Sequence, residues 1–124
     1  MYLVGEAHPH KADALRALEG LIGGGERLVT DAEVFQEILH RYTAIRRLDA
    51  VQPAFDALRS LVDDVFPVEE RHVYMAKDLL LGRRGLSSRD AVHLALMKAN
   101  AVDRILSFDT GFDGISWVQR LPAK

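Results

Sequence analysis

Cysteine is absent, and charge of either sign is close to balance. A chain without thiols has no disulfide scaffold, no zinc ribbon and no thiol nucleophile, and it suits a reducing cytoplasm. Lys and Arg total 16 and Asp and Glu total 18, a formal net charge of −2. That balance gives no electrostatic case for coating nucleic acid, so any RNA or DNA contact has to be local. Long apolar runs are missing too: none approaches the ~18–20 residues that span a bilayer. The N-terminus lacks a basic stretch leading into an apolar one, so secretion is not expected. There are no internal repeats and no low-complexity tract. The phosphate loop G-x-x-x-x-G-K-[ST] and the G-x-S-x-G elbow are both absent. Gly23-Gly24-Gly25 lacks the spaced glycines of a dinucleotide site. What remains is a soluble cytoplasmic protein. Its 124 residues form a single domain, 1–124, able to bury about two-thirds of its unfolded surface.

What is present is an alternation of helical stripes and short apolar runs. Met1 to Val4 is apolar but too short to classify alone. Pro9 suits a first helical turn, and Leu15, Leu18 and Leu21 continue a helical stripe up to the glycine triplet. Arg27 to Thr30 reads as a strand. Thr30-Asp31-Ala32-Glu33 matches a capping box, with Thr30 as cap and Glu33 reaching back. The helix it opens carries Val34, Ile38, Tyr42 and Ile45 on one face. A further helix starts near Val51, with Phe55, Leu58 and Val62 in step. Val65 to Val68 reads as a brief strand that Pro67 places at an edge or an end. His72 to Leu81 is helical. Ser87 opens the next helix, whose Ala91, Ala95 and Ala99 would let it lie close to a sheet. Arg104 to Ser107 and Ile115 to Val118 read as strands. This alternation predicts an α/β fold with a mainly parallel sheet. Ligands of such sheets bind outside the carboxyl ends of the strands.

Carboxylates stand at those ends. Glu37 and Asp90 fall in the first turns of helices and Asp109 directly follows a strand, with Asp113 behind it. Gathered at one mouth, such groups repel one another unless a cation binds. Mg²⁺ and Mn²⁺ favour such oxygen ligands and can activate water for attack on phosphate. Each residue also has a plain structural alternative. Glu37 can pair with Arg41 at i,i+4, Asp90 can cap its helix, and Asp109 and Asp113 can form turns beside Gly111 and Gly114. His93 shares a helix face with Asp90 as a possible ligand or a mere neighbour. His8 and His10 read as solvated. Arg41, Arg89, Arg46-Arg47 and Arg83-Arg84 can contact phosphates or simply face solvent. The Ser107 hydroxyl can touch a water at the site or merely finish its strand.

Three stretches in order resemble motifs of the PIN-domain ribonucleases. They are Val34-Phe35-Gln36-Glu37-Ile38-Leu39-His40-Arg41-Tyr42, then Ser88-Arg89-Asp90-Ala91-Val92-His93-Leu94-Ala95. The third is Ile105-Leu106-Ser107-Phe108-Asp109-Thr110-Gly111-Phe112-Asp113. The closest subgroup is the VapC-type toxins of type II toxin–antitoxin pairs. The resemblance implies a three-layer α/β/α fold and a Mg²⁺- or Mn²⁺-dependent endoribonuclease. Glu37, Asp90 and Asp109 would be its catalytic and metal-site carboxylates, with Asp113 at a more variable metal position. It also implies an RNA substrate, a small antitoxin partner and a homodimer. One departure stands out. The family opens with a strand ending in Asp-Thr-Asn or Asp-Thr-Ser, whereas Met1-Tyr2-Leu3-Val4-Gly5-Glu6 resembles the segment just after that motif. The expectation is therefore a chain lacking its first strand and first Asp, with the central strands left unpaired. Either an upstream start supplies them, or the chain is an incomplete interaction module that binds an antitoxin or RNA without cleaving.

Overall fold

The computed structural model describes residues 1–4, 25–107 and 110–121. Among them lie strands β1 (Tyr2–Leu3), β2 (Val29–Asp31), β3 (Asp64–Phe66), β4 (Arg104–Leu106) and β5 (Gln119–Leu121). The helices are α1 (Ala32–Ala44), α2 (Val51–Leu61), α3 (Glu70–Gly82) and α4 (Ser88–Ala99). All strand pairs are parallel, in the order β3-β2-β1-β4-β5. The first expected helix, His8, His10 and Asp109 lie outside the described residues. No helix among the described residues is long and apolar enough to cross a membrane.

Side-chain alternation along β1 splits the interior into two cores. Tyr2 and Val4 join Val29, Ile105 and Phe66 beneath Leu94, Leu96 and Met97 of α4. Met1 and Leu3 face the other way, with Leu28, Leu106 and Val62, and Leu58 and Leu61 of α2 pack there. Helices thus cover both faces, giving three layers. Each fully buried aliphatic side chain in these layers is worth about 1.5–3 kcal/mol. The expected edge position of the Pro67 strand holds, since β3 ends at Phe66 on the sheet border.

Several expectations need correction. The centre of the sheet is not empty, because Met1 to Val4 supplies a strand there. Val29 N–H donates to the Met1 carbonyl at 2.8 Å and Val4 N–H to the Leu106 carbonyl at 3.3 Å, so the neighbours find partners. A four-residue apolar run suffices because its alternate side chains feed both cores. The cap of α1 is Asp31, not Thr30. Asp31 Oδ1 accepts the Val34 N–H at 2.9 Å, while the Thr30 hydroxyl donates to the Leu3 carbonyl at 2.7 Å. Thr30 is still in β2, so its hydroxyl is taken up by the neighbouring strand. Glu37 accordingly sits in the second turn of α1, not the first. Ala91 and Ala95 form a cluster with Ala76 of α3, while leucines and Met97 of α4 cover the sheet. The last strand is Gln119–Leu121, not Ile115 to Val118. Ile115 is buried in the first core, and the Val118 N–H turns back to its carbonyl at 3.1 Å.

Candidate active site

Strand order reverses between β1 and β4, because the chain passes from β1 to β2 on one side and places β4 on the other. A crevice opens outside the carboxyl ends of parallel strands at such a point. Here it is a cleft of roughly 250 Å³, with Val4 and Ser107 at its floor and Glu37, Asp90, Arg89 and Phe112 among its walls. The expected carboxylates Glu37 and Asp90 therefore come together, though they start from separate helices. Asp90 is carried there by its helix start, where Ser87 Oγ accepts the Asp90 N–H at 3.1 Å. Gly85, at φ +80°, turns the chain into that helix at the cleft's rim, in a conformation that side-chain-bearing residues rarely adopt. Ser107 and Gly111, on either side of Asp109 in sequence, both line the cleft.

Glu37 is held from behind. Its Oε1 lies 3.1 Å from His93 Nε2 and 4.0 Å from Arg89 Nε, and its side chain keeps 14% exposure. The other ring nitrogen of His93, Nδ1, lies 2.6 Å from Oδ2 of Asp31, and both of those side chains are fully buried. Asp31 also accepts from the Tyr2 hydroxyl and caps α1. Burial alone would push the His93 pKa down, but hydrogen bonds to Asp31 and Glu37 and the charge of both carboxylates raise it to about 9. The ring is therefore an imidazolium at neutral pH, and both nitrogens donate. Burial and then the neighbouring Asp31 push the Tyr2 phenol upward. Burial, followed by the nearby Glu37, raises the Glu33 carboxyl; with Asp31 as the cap, Glu33 is the second residue of α1 and not at the third position a capping box requires.

Other expected residues stand apart. The Asp113 carboxylate takes Arg120, Nε at 2.5 Å and Nη2 at 3.1 Å, and this guanidinium lowers its pKa. The same Arg120 donates to the Ser107 carbonyl at 3.1 Å, tying Asp113 to the end of β4. Arg41 is exposed on α1 and is not among the residues lining the cleft. Arg83 donates to the Gly114 carbonyl at 2.9 Å. His93 turns to Asp31 and Glu37 rather than acting as a partner of Asp90. Asp31 and Tyr2 were not legible as site residues. The available signal was an Asp at the end of a strand, on the edge of the sheet that binds ligands.

Among the described residues no three His, Asp or Glu side chains stand close enough to enclose a metal. The donors that line the cleft are nonetheless hard oxygens: the carboxylates of Glu37 and Asp90 and the hydroxyls of Ser87 and Ser107. Mg²⁺ commonly binds through one or two carboxylates and keeps several waters, so this donor set fits a divalent cation.

Fold and site together define a parallel α/β domain with carboxylates at its switch-point cleft, and comparison with known proteins narrows that class. Residues 1–118 match the PIN domain. The VapC ribonuclease Mb1869c of Mycobacterium bovis and ribonuclease VapC13 of Mycobacterium tuberculosis are each 56% identical over 98% of this chain and 92% of their own length. Ribonuclease VapC23 of M. tuberculosis is 38% identical over 88% of this chain and 86% of its own. Among solved structures, the M. tuberculosis sarcin-ricin loop cleaving toxin VapC20 superposes with a TM-score of 0.74 at 19% identity, covering 94% of this chain and 95% of that one. A chain of a toxin–antitoxin complex from Klebsiella pneumoniae gives 0.64 at 15% identity, covering 95% of this chain and 94% of that one. The chain belongs to the PIN-domain family, among the VapC ribonucleases.

Proposed function

We propose that this chain is a divalent-metal-dependent endoribonuclease, the toxin of a type II toxin–antitoxin pair, which hydrolyses RNA phosphodiesters at the cleft between β1 and β4. The observation that carries this reading is the convergence of Glu37 and Asp90, from two helices far apart in the chain, on one switch-point cleft. Its VapC ribonuclease relatives support the same activity. Glu37 and Asp90, with Asp109 as the family resemblance implies, would hold Mg²⁺ or Mn²⁺, and the ion would supply positive charge for water activation and phosphate attack. The chain's own residues do the positioning. Arg89 at the wall of the cleft offers a guanidinium to the RNA backbone, and Arg41 extends that track along α1. The Ser107 hydroxyl offers a hydrogen-bonding group on the floor. Asp113 is a weaker candidate ligand, since its carboxylate is already engaged by Arg120. A small antitoxin that covers the cleft, a homodimer and a cytoplasmic location complete the proposal.

Cleavage of RNA by the purified chain with added Mg²⁺ or Mn²⁺, and its loss on chelation, tests this reading. Equal cleavage in excess chelator would contradict it.

A specific observation favours a second reading. Val4 lines the cleft at the end of β1, where the family resemblance places a carboxylate. The chain as written would then be a PIN-fold interaction module that binds an antitoxin or RNA without cleaving it. RNA bound by the chain without cleavage in added Mn²⁺ would support this second reading, and metal-dependent cleavage would contradict it.

A further inference from the structure

His93 bridges the interior to the cleft, with a hydrogen bond at each ring nitrogen. Its inner end is fixed. Asp31 is fully buried, accepts the Val34 N–H and the Tyr2 hydroxyl, and leaves the ring little freedom to rotate. Its outer end meets only one oxygen of Glu37. Both the His93 and the Arg89 contacts fall on Oε1, and among the described residues Oε2 has no hydrogen bond or ion pair. A carboxylate with one oxygen tied to the protein and the other left toward a cleft is oriented. Groups that fix a ligand in this way typically change metal affinity by about 10–100-fold when removed.

We infer that His93 is a positioning residue: anchored on Asp31, it holds Oε1 of Glu37 so that Oε2 is presented to a divalent cation in the cleft. His93 is not itself a ligand here, because both its nitrogens are already engaged. This inference rests on the reading of the cleft as a cation site. It goes beyond that reading by assigning the Tyr2–Asp31–His93 chain, from three separate elements, to the orientation of a single carboxylate.

Two conservative substitutions separate positioning from plain structural support. In His93→Gln the side-chain amide nitrogen falls near the place of Nε2 and keeps the Glu37 contact. In His93→Asn it falls near Nδ1 and keeps the Asp31 contact. Mn²⁺ binding to the full chain is followed by electron paramagnetic resonance of free Mn²⁺, without RNA. We expect His93→Asn to weaken Mn²⁺ binding by at least about tenfold and His93→Gln, which keeps the Glu37 contact but loses the anchor, to weaken it less. A histidine that served only the fold would give the opposite order, because the Asp31 contact is the deeper one. Wild type that binds Mn²⁺ beside a His93→Asn variant that binds equally well overturns the positioning role and leaves the cation site standing. Wild type that binds no Mn²⁺ overturns both. A second readout needs no variant and covers a failure of His93→Asn to fold. Mg²⁺ titrated into the wild-type chain must shift the His93 Nε2–H resonance with the binding curve and leave Nδ1–H nearly still. Binding without that shift contradicts the inference.

Discussion

His93 and Asp31 are 62 residues apart in sequence, yet Nδ1 of one lies 2.6 Å from Oδ2 of the other, with neither side chain exposed. This contact joins the end of β2 to the middle of α4 and lies directly behind the cleft. Asp31 also caps α1 and takes the Tyr2 hydroxyl. Removing its carboxylate would strand a buried cation, an N–H group and a hydroxyl together. Asp31→Ala is therefore expected to lower stability by about 3–5 kcal/mol, the usual cost of breaking a buried pair. Tyr2→Phe removes one partner and keeps the ring, so about 1–2 kcal/mol is expected. Urea unfolding of both variants checks the order. A Tyr2→Phe loss as large as that of Asp31→Ala would contradict it.

Stability should depend on pH through the same contact. Facing His93 are Asp31 from β2, Glu37 and Glu33 from α1, Arg89 from α4, and Tyr2 through Asp31. The folded pKa of His93 is raised from 6.5 to about 9. A raised pKa means that the folded state binds the proton more tightly than the unfolded chain does. The stabilisation is then fully present below about 6.5 and is lost as pH climbs through about 9. In metal-free buffer the urea midpoint should fall between these limits, and His93→Gln should flatten the fall. A wild-type midpoint that rises over this interval would refute the assignment.

Val4 offers a gain-of-function test. It lines the cleft beside Glu37 and Asp90, and an added carboxylate there raises the negative charge available to a cation. Val4→Asp is expected to cost about 1–3 kcal/mol of stability, since Val4 is buried in the first core. The same change should tighten Mn²⁺ binding by about tenfold. Loss of stability with no gain in affinity would show that the end of β1 does not face the cation.

Asp113 makes a contrasting case. Its pairing with Arg120, and the Arg120 bond to the Ser107 carbonyl, brace β5 against β4. Asp113→Asn should speed amide exchange along Gln119–Leu121 and leave Mn²⁺ affinity within about twofold of wild type, as expected for a group outside the ligand set. A large loss of affinity would return Asp113 to the metal site.

Much of the site was legible because it is local. Glu37, Asp90 and Ser107 each follow from the helix or strand that carries them, and the parallel fold dictates the edge to which those elements deliver their ends. What escaped was non-local. Thr30 and Asp31 offer two cap registers one residue apart, and the choice depends on the Leu3 carbonyl reaching the Thr30 hydroxyl across the sheet. His93 is three residues from Asp90, so helical spacing suggested that pairing; its actual partners come from β2 and α1. Met1 to Val4 is too short to signal a strand, and becomes one through neighbours on both sides. Ile115 reads as strand by its side chain, yet the first core takes it and the last pairing moves on to Gln119.

If the carboxylates of this cleft cut RNA with the help of a divalent cation, removing one of them must slow cleavage. The decisive comparison is the rate of RNA cleavage in Mn²⁺ by the wild-type chain and by Asp90→Asn, purified identically and shown by circular dichroism to be equally folded. We expect wild type to cleave and Asp90→Asn to lose at least about 100-fold in rate, about 2.7 kcal/mol of transition-state stabilisation. Equal rates in the two proteins would contradict a carboxylate-held cation as the source of cleavage.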